Sequence, residues 1–202
     1  MKILVIADVH DRLIEKPKGE FDVVFILGDF TNINDTSLVE HVLNLFDCKV
    51  FAIPGNVDTN DVVKVLEQRG VSLHLREEEF RGIKLVGFGG SNITPLHTPL
   101  EFDEVEIEWS IAELKGDVAL FHTPPYGFFD SVNDKSVGSM AIKNWMDENK
   151  PKIVFCAHVH EHQGVAKYKD TLIIKVGMAY NGDAAVVELN EFEEIVVRFV
   201  KI

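Results

Sequence analysis

Short, continuously apolar runs recur along this chain, with segments of helical periodicity between them. Ile3–Ala7, Val23–Leu27 and Val50–Ile53 contain no polar residue, so they lack the alternation of a strand that has one face in water. Strands of this kind are covered on both faces. These runs therefore predict buried strands as the framework of the fold.

The segments between the apolar runs predict helices. Ser37 and Glu40 have the spacing of a capping box, which places a helix start at Ser37. The apolar face of this helix is predicted to consist of Leu38, Val42, Leu45 and Phe46. Further helices are predicted over about 59–69, 103–114 and 139–148. The last of them is predicted to bury Met140, Ile142, Trp145 and Met146.

The order of the remaining strands indicates the fold class. Ile83–Phe88, Val118–Phe121 and Ile153–Cys156 alternate with the helices. After Gly164 the pattern changes to hairpins, predicted over 165–168, 172–176, 185–189 and 195–200. Strand–helix units that give way to antiparallel strands predict an α/β fold: a two-sheet layered sandwich flanked by helices, with residues 1–202 forming a single domain.

Charge and hydropathy limit the partners of the chain. With 20 Lys and Arg against 33 Asp and Glu, the net charge is −13, so most of the surface repels polyanions; this argues against nucleic acid and acidic membranes as partners. The longest stretch without a charged residue, 85–100, is shorter than the roughly 20 residues that span a bilayer. We expect a cytoplasmic protein with a small-molecule ligand; the oligomeric state stays open, a homo-oligomer included.

Polar residues with metal-binding side chains directly follow five of the predicted strands. They are Asp8, His10, Asp29, Asn56, His122, His158 and His160. Loops at the carboxyl ends of strands converge on one crevice in α/β sheets, so these side chains are expected to meet there. Each element alone is weak evidence, since a single D-x-H or H-x-H is more often a surface turn. Their joint occurrence, each after an apolar run, predicts a site.

The chemistry of the seven residues favours a metal centre. Four imidazoles, two carboxylates and an amide oxygen, without a thiolate, are typical ligands of Mn, Fe, Co, Ni or Zn. Seven ligands exceed the needs of one ion, whereas two ions roughly 3.5–4 Å apart share a bridging carboxylate. Asp29, which follows Gly28, is the natural bridge. Two divalent ions are therefore expected, with Mn as the first choice.

Five sequence blocks, taken together, resemble the calcineurin-like metallophosphoesterase family. They read Asp8-Val9-His10, Gly28-Asp29, Gly55-Asn56-Val57-Asp58, His122 and Ala157-His158-Val159-His160. The resemblance covers residues 1 to about 190, and residues 89–92 and 122–127 resemble a small archaeal and bacterial branch. It implies one ion on Asp8, His10, Asp29 and His160, and a second ion on Asp29, Asn56, His122 and His158.

The implied activity is hydrolysis of small phosphodiesters or nucleotide-like phosphate esters by metal-bound hydroxide. Asp29, Asn56 and His122 would act catalytically through that hydroxide, with Asn56 also binding substrate. Ala157 stands where the family has glycine, and Val57 stands where the family usually has the histidine that contacts phosphate. Without that histidine, we expect a preference for esters with acidic leaving alcohols. The alternatives are a nuclease and a non-catalytic interaction module of the same fold.

Several further residues have two interpretations each. His97 is a candidate proton donor or an exposed loop histidine, and Tyr126 lines the substrate pocket or packs in the core. Asp58 either supports the metal ligands or caps the next helix. His162 either supports the metal ligands or faces solvent, and His41 and His74 are expected to be structural.

Overall fold

The computed structural model describes residues 1–190 and 194–202. The strands of the first sheet are β1 (Lys2–Ile6), β2 (Val23–Ile26), β3 (Lys49–Ala52), β14 (Asp183–Asn190) and β15 (Glu194–Lys201). The strands of the second sheet are β4 (Arg76–Phe80), β5 (Ile83–Phe88), β8 (Val118–Phe121), β11 (Ile153–Cys156), β12 (Gly164–Tyr168) and β13 (Thr171–Lys175). Four two-residue strands form small ribbons: β6 (Ser91–Asn92), β7 (Glu101–Phe102), β9 (Ser131–Val132) and β10 (Lys135–Ser136). The helices are α1 (Thr36–Asn44), α2 (Asn60–Gln68), α3 (Glu104–Ile111), α4 (Met140–Asn149) and the short 3₁₀ helix Ala179–Asn181.

The two larger sheets combine parallel and antiparallel pairing. The first has the order β15-β14-β1-β2-β3, with β1, β2 and β3 parallel and the β14–β15 hairpin antiparallel. The second has the order β12-β13-β11-β8-β5-β4, in which β5, β8, β11 and β13 are parallel. The predicted two-sheet α/β sandwich is confirmed.

The central strands of each sheet are buried on both faces, which explains the uninterrupted apolar runs. Ile3 and Val5 face the second sheet, whereas Leu4 and Ile6 face α1 and α2. Between the sheets, the rings of Phe25 and Phe155 meet edge to face, with centroids 5.5 Å apart. Helices α3 and α4 cover the outer face of the second sheet. Full burial of one such large apolar side chain contributes about 1.5–3 kcal/mol, so this core dominates the stability of the fold.

Two helix predictions need correction. Asp35, and not Ser37, caps α1: its carboxylate accepts hydrogen bonds from the Ser37 N–H (2.9 Å) and hydroxyl (2.6 Å). Because the helix therefore starts at Thr36, its buried residues are Val39, Val42 and Leu43, while Leu38 is only half-buried. In α4, which Ser139 caps, Met140 is 42% exposed, since it occupies the first helical position beyond the edge of the core.

The strand β4 was not predicted, because its sequence, REEEF, carries no apolar alternation. It is an edge strand, where charged side chains can face water and discourage pairing with other chains. Among residues 1–190 and 194–202, no helix is long and apolar enough to span a lipid bilayer.

Candidate metal centre

The loops after β1, β2 and β3 interlock at the carboxyl ends of these strands. The Asp8 N–H donates to Gly28 O (3.0 Å), and the His10 N–H donates to Asp29 O (2.9 Å). A Cβ atom at Gly28, where φ is +90°, would lie 2.2 Å from the Gly55 nitrogen, so only glycine permits this approach. Asp8 and Asp29 both have φ of +55°, a left-handed conformation that non-glycine residues adopt rarely and often at functional sites.

Asp8, His10, Asp29 and His160 form the first cluster of ligand-type side chains, here called the open group. One ligand atom of each lies within 4.8 Å of those of the others. His10 Nε2 is 3.6 Å from Asp29 Oδ2 and 3.4 Å from His160 Nε2. His160 is exposed to solvent.

The Asp8 carboxylate shows that a cation fits the open group. Both of its oxygens are buried, and neither has a hydrogen-bond partner among the described residues. Burial raises the pKa of Asp8, because an ionised carboxylate away from water is unfavourable unless a positive charge accompanies it. A divalent ion would supply that charge, and it would do so among ligands of the appropriate chemistry.

Asp29, Asn56, His122 and His158 form the second cluster, here called the buried group. The ligand atoms of Asp29, His122 and His158 lie within 4.8 Å of one another. His122 Nε2 is 3.3 Å from Asp29 Oδ2 and 3.0 Å from Asn56 Oδ1. Nδ1 of His122 lies 2.5 Å from Leu27 O, so it must donate, and this directs Nε2 towards the cluster. Asp29 therefore belongs to both groups.

The electrostatics of the centre are dominated by burial and by Asp29. Burial opposes charge on His122, but the adjacent Asp29 and Asp8 outweigh it and raise the pKa of His122 to about 9. Burial likewise opposes ionisation of Asp29, but His122 and His10 hold the pKa of Asp29 below its usual value. Burial and the proximity of His122 lower the pKa of His158 to about 3, so this imidazole is neutral and offers a lone pair.

The five strand-end loops thus carry the seven predicted residues into two adjoining clusters that share a carboxylate. The sequence profile of the calcineurin-like phosphoesterase family matches residues 1–162, which include all seven. The chain belongs to this family. As a calcineurin-like phosphoesterase, it is a metal-dependent phosphoester hydrolase, and its Asp and His clusters are suited to divalent ions.

Several known proteins are similar to this phosphoesterase over at least 95% of its length. An uncharacterized protein of Methanocaldococcus jannaschii is 31% identical over 95% of this chain and 97% of that protein. A crystal structure from Thermus thermophilus superposes with a TM-score of 0.72 at 16% identity, covering 98% of this chain and 97% of that one. A structure described as a novel archaeal phosphodiesterase gives a TM-score of 0.55 at 11% identity, covering 99% of this chain and all of that one. These structures share the fold.

Asp58 holds together the two loops that supply Asp29 and Asn56. Its buried carboxylate accepts hydrogen bonds from the Phe30 N–H (2.9 Å) and the Thr31 N–H (3.2 Å) on one loop, and from the Gly55 N–H (2.7 Å) on the other. Burial raises the pKa of Asp58 to about 7. Thr59, not Asp58, caps α2, so Asp58 supports the site instead of the helix.

The other predicted histidines and Tyr126 do not belong to either cluster. His97 and Tyr126 are exposed, Tyr126 by 40%, which contradicts the core-packing interpretation of Tyr126. Within residues 1–190 and 194–202, no hydrogen bond or ring contact joins either side chain to the seven. His74 Nδ1 accepts a hydrogen bond from the Gly89 N–H (2.9 Å), a structural role, and His162 is exposed.

Four residues that surround the clusters were not predicted from the sequence. Asn32 Oδ1 contacts His10 Nδ1 at 2.8 Å, and Thr98 Oγ1 accepts a hydrogen bond from Asn56 Nδ2 at 2.8 Å. Thr98 in turn contacts Glu101. Lys175, fully buried at the end of β13, donates from Nζ to Val176 O (2.9 Å). Only Lys175 left a signal in the sequence, as a charge that ends an apolar strand.

Proposed function

We propose that this phosphoesterase hydrolyses small phosphodiesters or nucleotide-like phosphate esters with two divalent ions. The observation that carries the proposal is the position of Asp29, shared by two clusters, beside the partnerless carboxylate of Asp8. Asp8, His10, Asp29 and His160 would hold one ion. Asp29, Asn56, His122 and His158 would hold the other. Manganese is the first choice, and Fe, Ni, Co and Zn suit the same ligands.

Two such ions, when bound, lower the pKa of water and neutralise charge on a phosphoryl group. The chain supplies the rest of the machinery. Leu27 O orients the His122 ring, and the Val57 N–H holds Asp29 Oδ1 at 3.1 Å. Asn56 would also contact substrate. Because the chain carries a net charge of −13, the local charge of bound ions, and not the overall charge of the protein, would attract an anionic ester to this centre; this fits a small substrate, which we place in the cytoplasm.

Val57 should determine which esters are cleaved. It lies half-buried beside the centre and has no side-chain proton to give, so this position cannot protonate a departing alkoxide. Esters of acidic alcohols, such as aryl phosphates, need no such proton. A strong preference for aryl over alkyl esters is therefore expected.

The test measures the rates of hydrolysis of an aryl and an alkyl phosphodiester by the wild type, by Val57→His and by the matched polar control Val57→Gln. The manganese content of each protein is measured as well. We expect two manganese ions per chain, a wild type that favours the aryl ester, and faster alkyl ester cleavage in Val57→His alone. Equal wild-type rates on the two esters would contradict the role given to Val57. A wild type that binds no manganese, or cleaves neither ester, would overturn the proposed function.

His97 and Tyr126 complete the proposal. His97 is adjacent to Thr98, whose hydroxyl contacts Asn56, so it is retained as the candidate proton donor. Tyr126 is free to contact substrate because its ring is exposed. His97→Gln should remove an ionisation from the pH–rate profile of alkyl esters and leave aryl esters unaffected. An unchanged profile would leave solvent as the donor.

The partnerless Asp8 carboxylate argues against the non-catalytic alternative. A buried carboxylate without a hydrogen-bond partner costs stability, and a scaffold that binds no cation would gain nothing from it. The nuclease alternative predicts that the affinity for substrate falls steeply with added salt, because a nucleic acid releases many counterions on binding. The affinity for a small substrate should depend on salt much less.

A further inference from the structure

Two residues of the segment that runs from β6 into β7 connect to the buried group through Asn56. Asn56 Nδ2 lies 2.8 Å from Thr98 Oγ1, and Thr98 Oγ1 lies 2.6 Å from Glu101 Oε1. The Thr98 hydroxyl can donate one hydrogen bond, and it donates to the Glu101 carboxylate, which can only accept. Thr98 must therefore accept from Asn56, so the amide nitrogen points to this segment and the amide oxygen points to His122. The opposite orientation of the amide would place two acceptors face to face.

Glu101 is itself held firmly in place. It accepts hydrogen bonds from Thr94 Oγ1 (2.5 Å), from the Thr94 N–H (3.1 Å) and from the Thr98 N–H (2.9 Å). Partial burial opposes its ionisation, but these hydrogen bonds outweigh that effect and lower the pKa of Glu101 to about 2. The carboxylate is therefore a permanent acceptor at any pH at which the protein would work.

The same segment is also joined to Asn56 through the main chain. The Leu100 N–H donates to Asn56 O (3.0 Å), and the Ser91 N–H donates to Leu100 O (3.0 Å). Asn56 is only 4% exposed, so water has little access to replace these contacts. Both the backbone and the side chain of Asn56 are therefore fixed by this segment.

We propose that Thr98 and Glu101 are positioning residues, which fix the Asn56 amide with its oxygen directed into the buried group. Cation affinity at the buried group then depends on a segment that is distant in sequence and supplies no ligand itself. The inference rests on the proposed function in one respect, since it takes Asn56 as a metal ligand.

The test is calorimetric titration of the metal-depleted chain with Mn²⁺, using Thr98→Val, Thr98→Ser and Thr94→Val. Valine has nearly the shape of threonine but no hydroxyl, so Thr98→Val should weaken one of the two binding steps roughly 10–100-fold, the usual effect of losing a partner of a metal ligand. Thr98→Ser keeps the hydroxyl and should bind as the wild type does. Thr94→Val removes one of the four hydrogen bonds that hold Glu101 and leaves the contact between Thr98 and Asn56 in place, so it should weaken binding less than Thr98→Val does.

Steady-state kinetics on an aryl phosphodiester at limiting Mn²⁺ provide a second measurement. Thr98→Val should lower kcat with little change in KM, and excess Mn²⁺ should restore kcat. Wild-type affinity in both binding steps of Thr98→Val would overturn the inference while leaving the proposed function standing, as would an equal loss in Thr94→Val. A wild type that binds a single ion would overturn both.

Discussion

The open and buried groups share Asp29 but differ in how firmly the protein holds the rest of each. In the buried group, His122 is completely buried and Leu27 O fixes its ring, while Thr98 fixes Asn56. In the open group, His160 is exposed, and a cavity of about 530 Å³ lined by His10, Asp11, Arg12 and Tyr180 lies alongside. Fixed ligands retain an ion, whereas an open side admits substrate and allows exchange. The two ions are therefore expected to differ in affinity, the buried one being held more tightly.

Replacing the shared carboxylate of Asp29 should weaken both ions, so the difference in affinity between the two groups should disappear. In Asp29→Asn, both ions lose a charged ligand, and the loss of several kcal/mol of charge stabilisation corresponds to a rate decrease of roughly 10³-fold or more. Manganese stoichiometry and hydrolysis of an aryl diester measure the two effects. Asp11→Asn, a neighbouring carboxylate outside both groups, is the matched control. Two ions and a near-normal rate in Asp29→Asn would refute a bridging role.

Asp8→Asn should separate the groups and have opposite effects on binding and on stability. The open group should lose its ion while the buried group keeps its own. In the presence of chelator, the variant should be more stable than the wild type by about 1–3 kcal/mol at neutral pH, because a buried carboxylate without a partner has been removed. Burial raises the pKa of Asp8 in the folded chain. The free energy of unfolding of the wild type should therefore fall relative to that of the variant as the pH rises above the ordinary Asp pKa. Urea unfolding between about pH 4 and 8 tests this, and a less stable variant would contradict it.

The pH dependence of metal binding should distinguish the buried group. With a pKa of about 9, His122 is protonated at neutral pH, and a cation must displace that proton. Affinity at the buried group should therefore increase about tenfold per pH unit up to about pH 9 and then level off. His158, with a pKa of about 3, adds no such competition above about pH 4. Titrations at about pH 6, 7 and 8 measure the slope, and a constant affinity would exclude the proton competition.

The smallest expected effect on metal affinity comes from removing the contact between Asn32 and His10 in the open group. Asn32→Ala removes the partner of His10 Nδ1 and should weaken the open ion by roughly 10–100-fold, towards the lower end because the contact is exposed. The buried ion should be unaffected, the mirror image of Thr98→Val. Asn32→Asp, which retains an acceptor for Nδ1, is the control expected to bind normally. If both ions weaken together, the two groups are not independent.

The strands and the clustering of the ligand-type side chains could be predicted from the sequence because both depend on local patterns. Val118–Phe121 and Ile153–Cys156 were predicted with their observed bounds, since burial on both faces leaves no polar residue inside them. The side chains of the two clusters were identified because each follows such a strand. By contrast, Thr98 meets Asn56 across 42 residues through a loop whose path no periodicity encodes. The charged strand β4 was invisible for a related reason, because its place depends on pairing with β5 and not on its own composition.

The ligands of the centre come from both sheets, and His10 and His160, which touch at its rim, are 150 positions apart. A chain emerging from the ribosome therefore cannot assemble the open group until His160 has been synthesised. Cation capture would be a late event, and it would clasp the two halves of the sandwich after they have docked. A partly synthesised chain of this phosphoesterase would therefore still lack its complete metal centre.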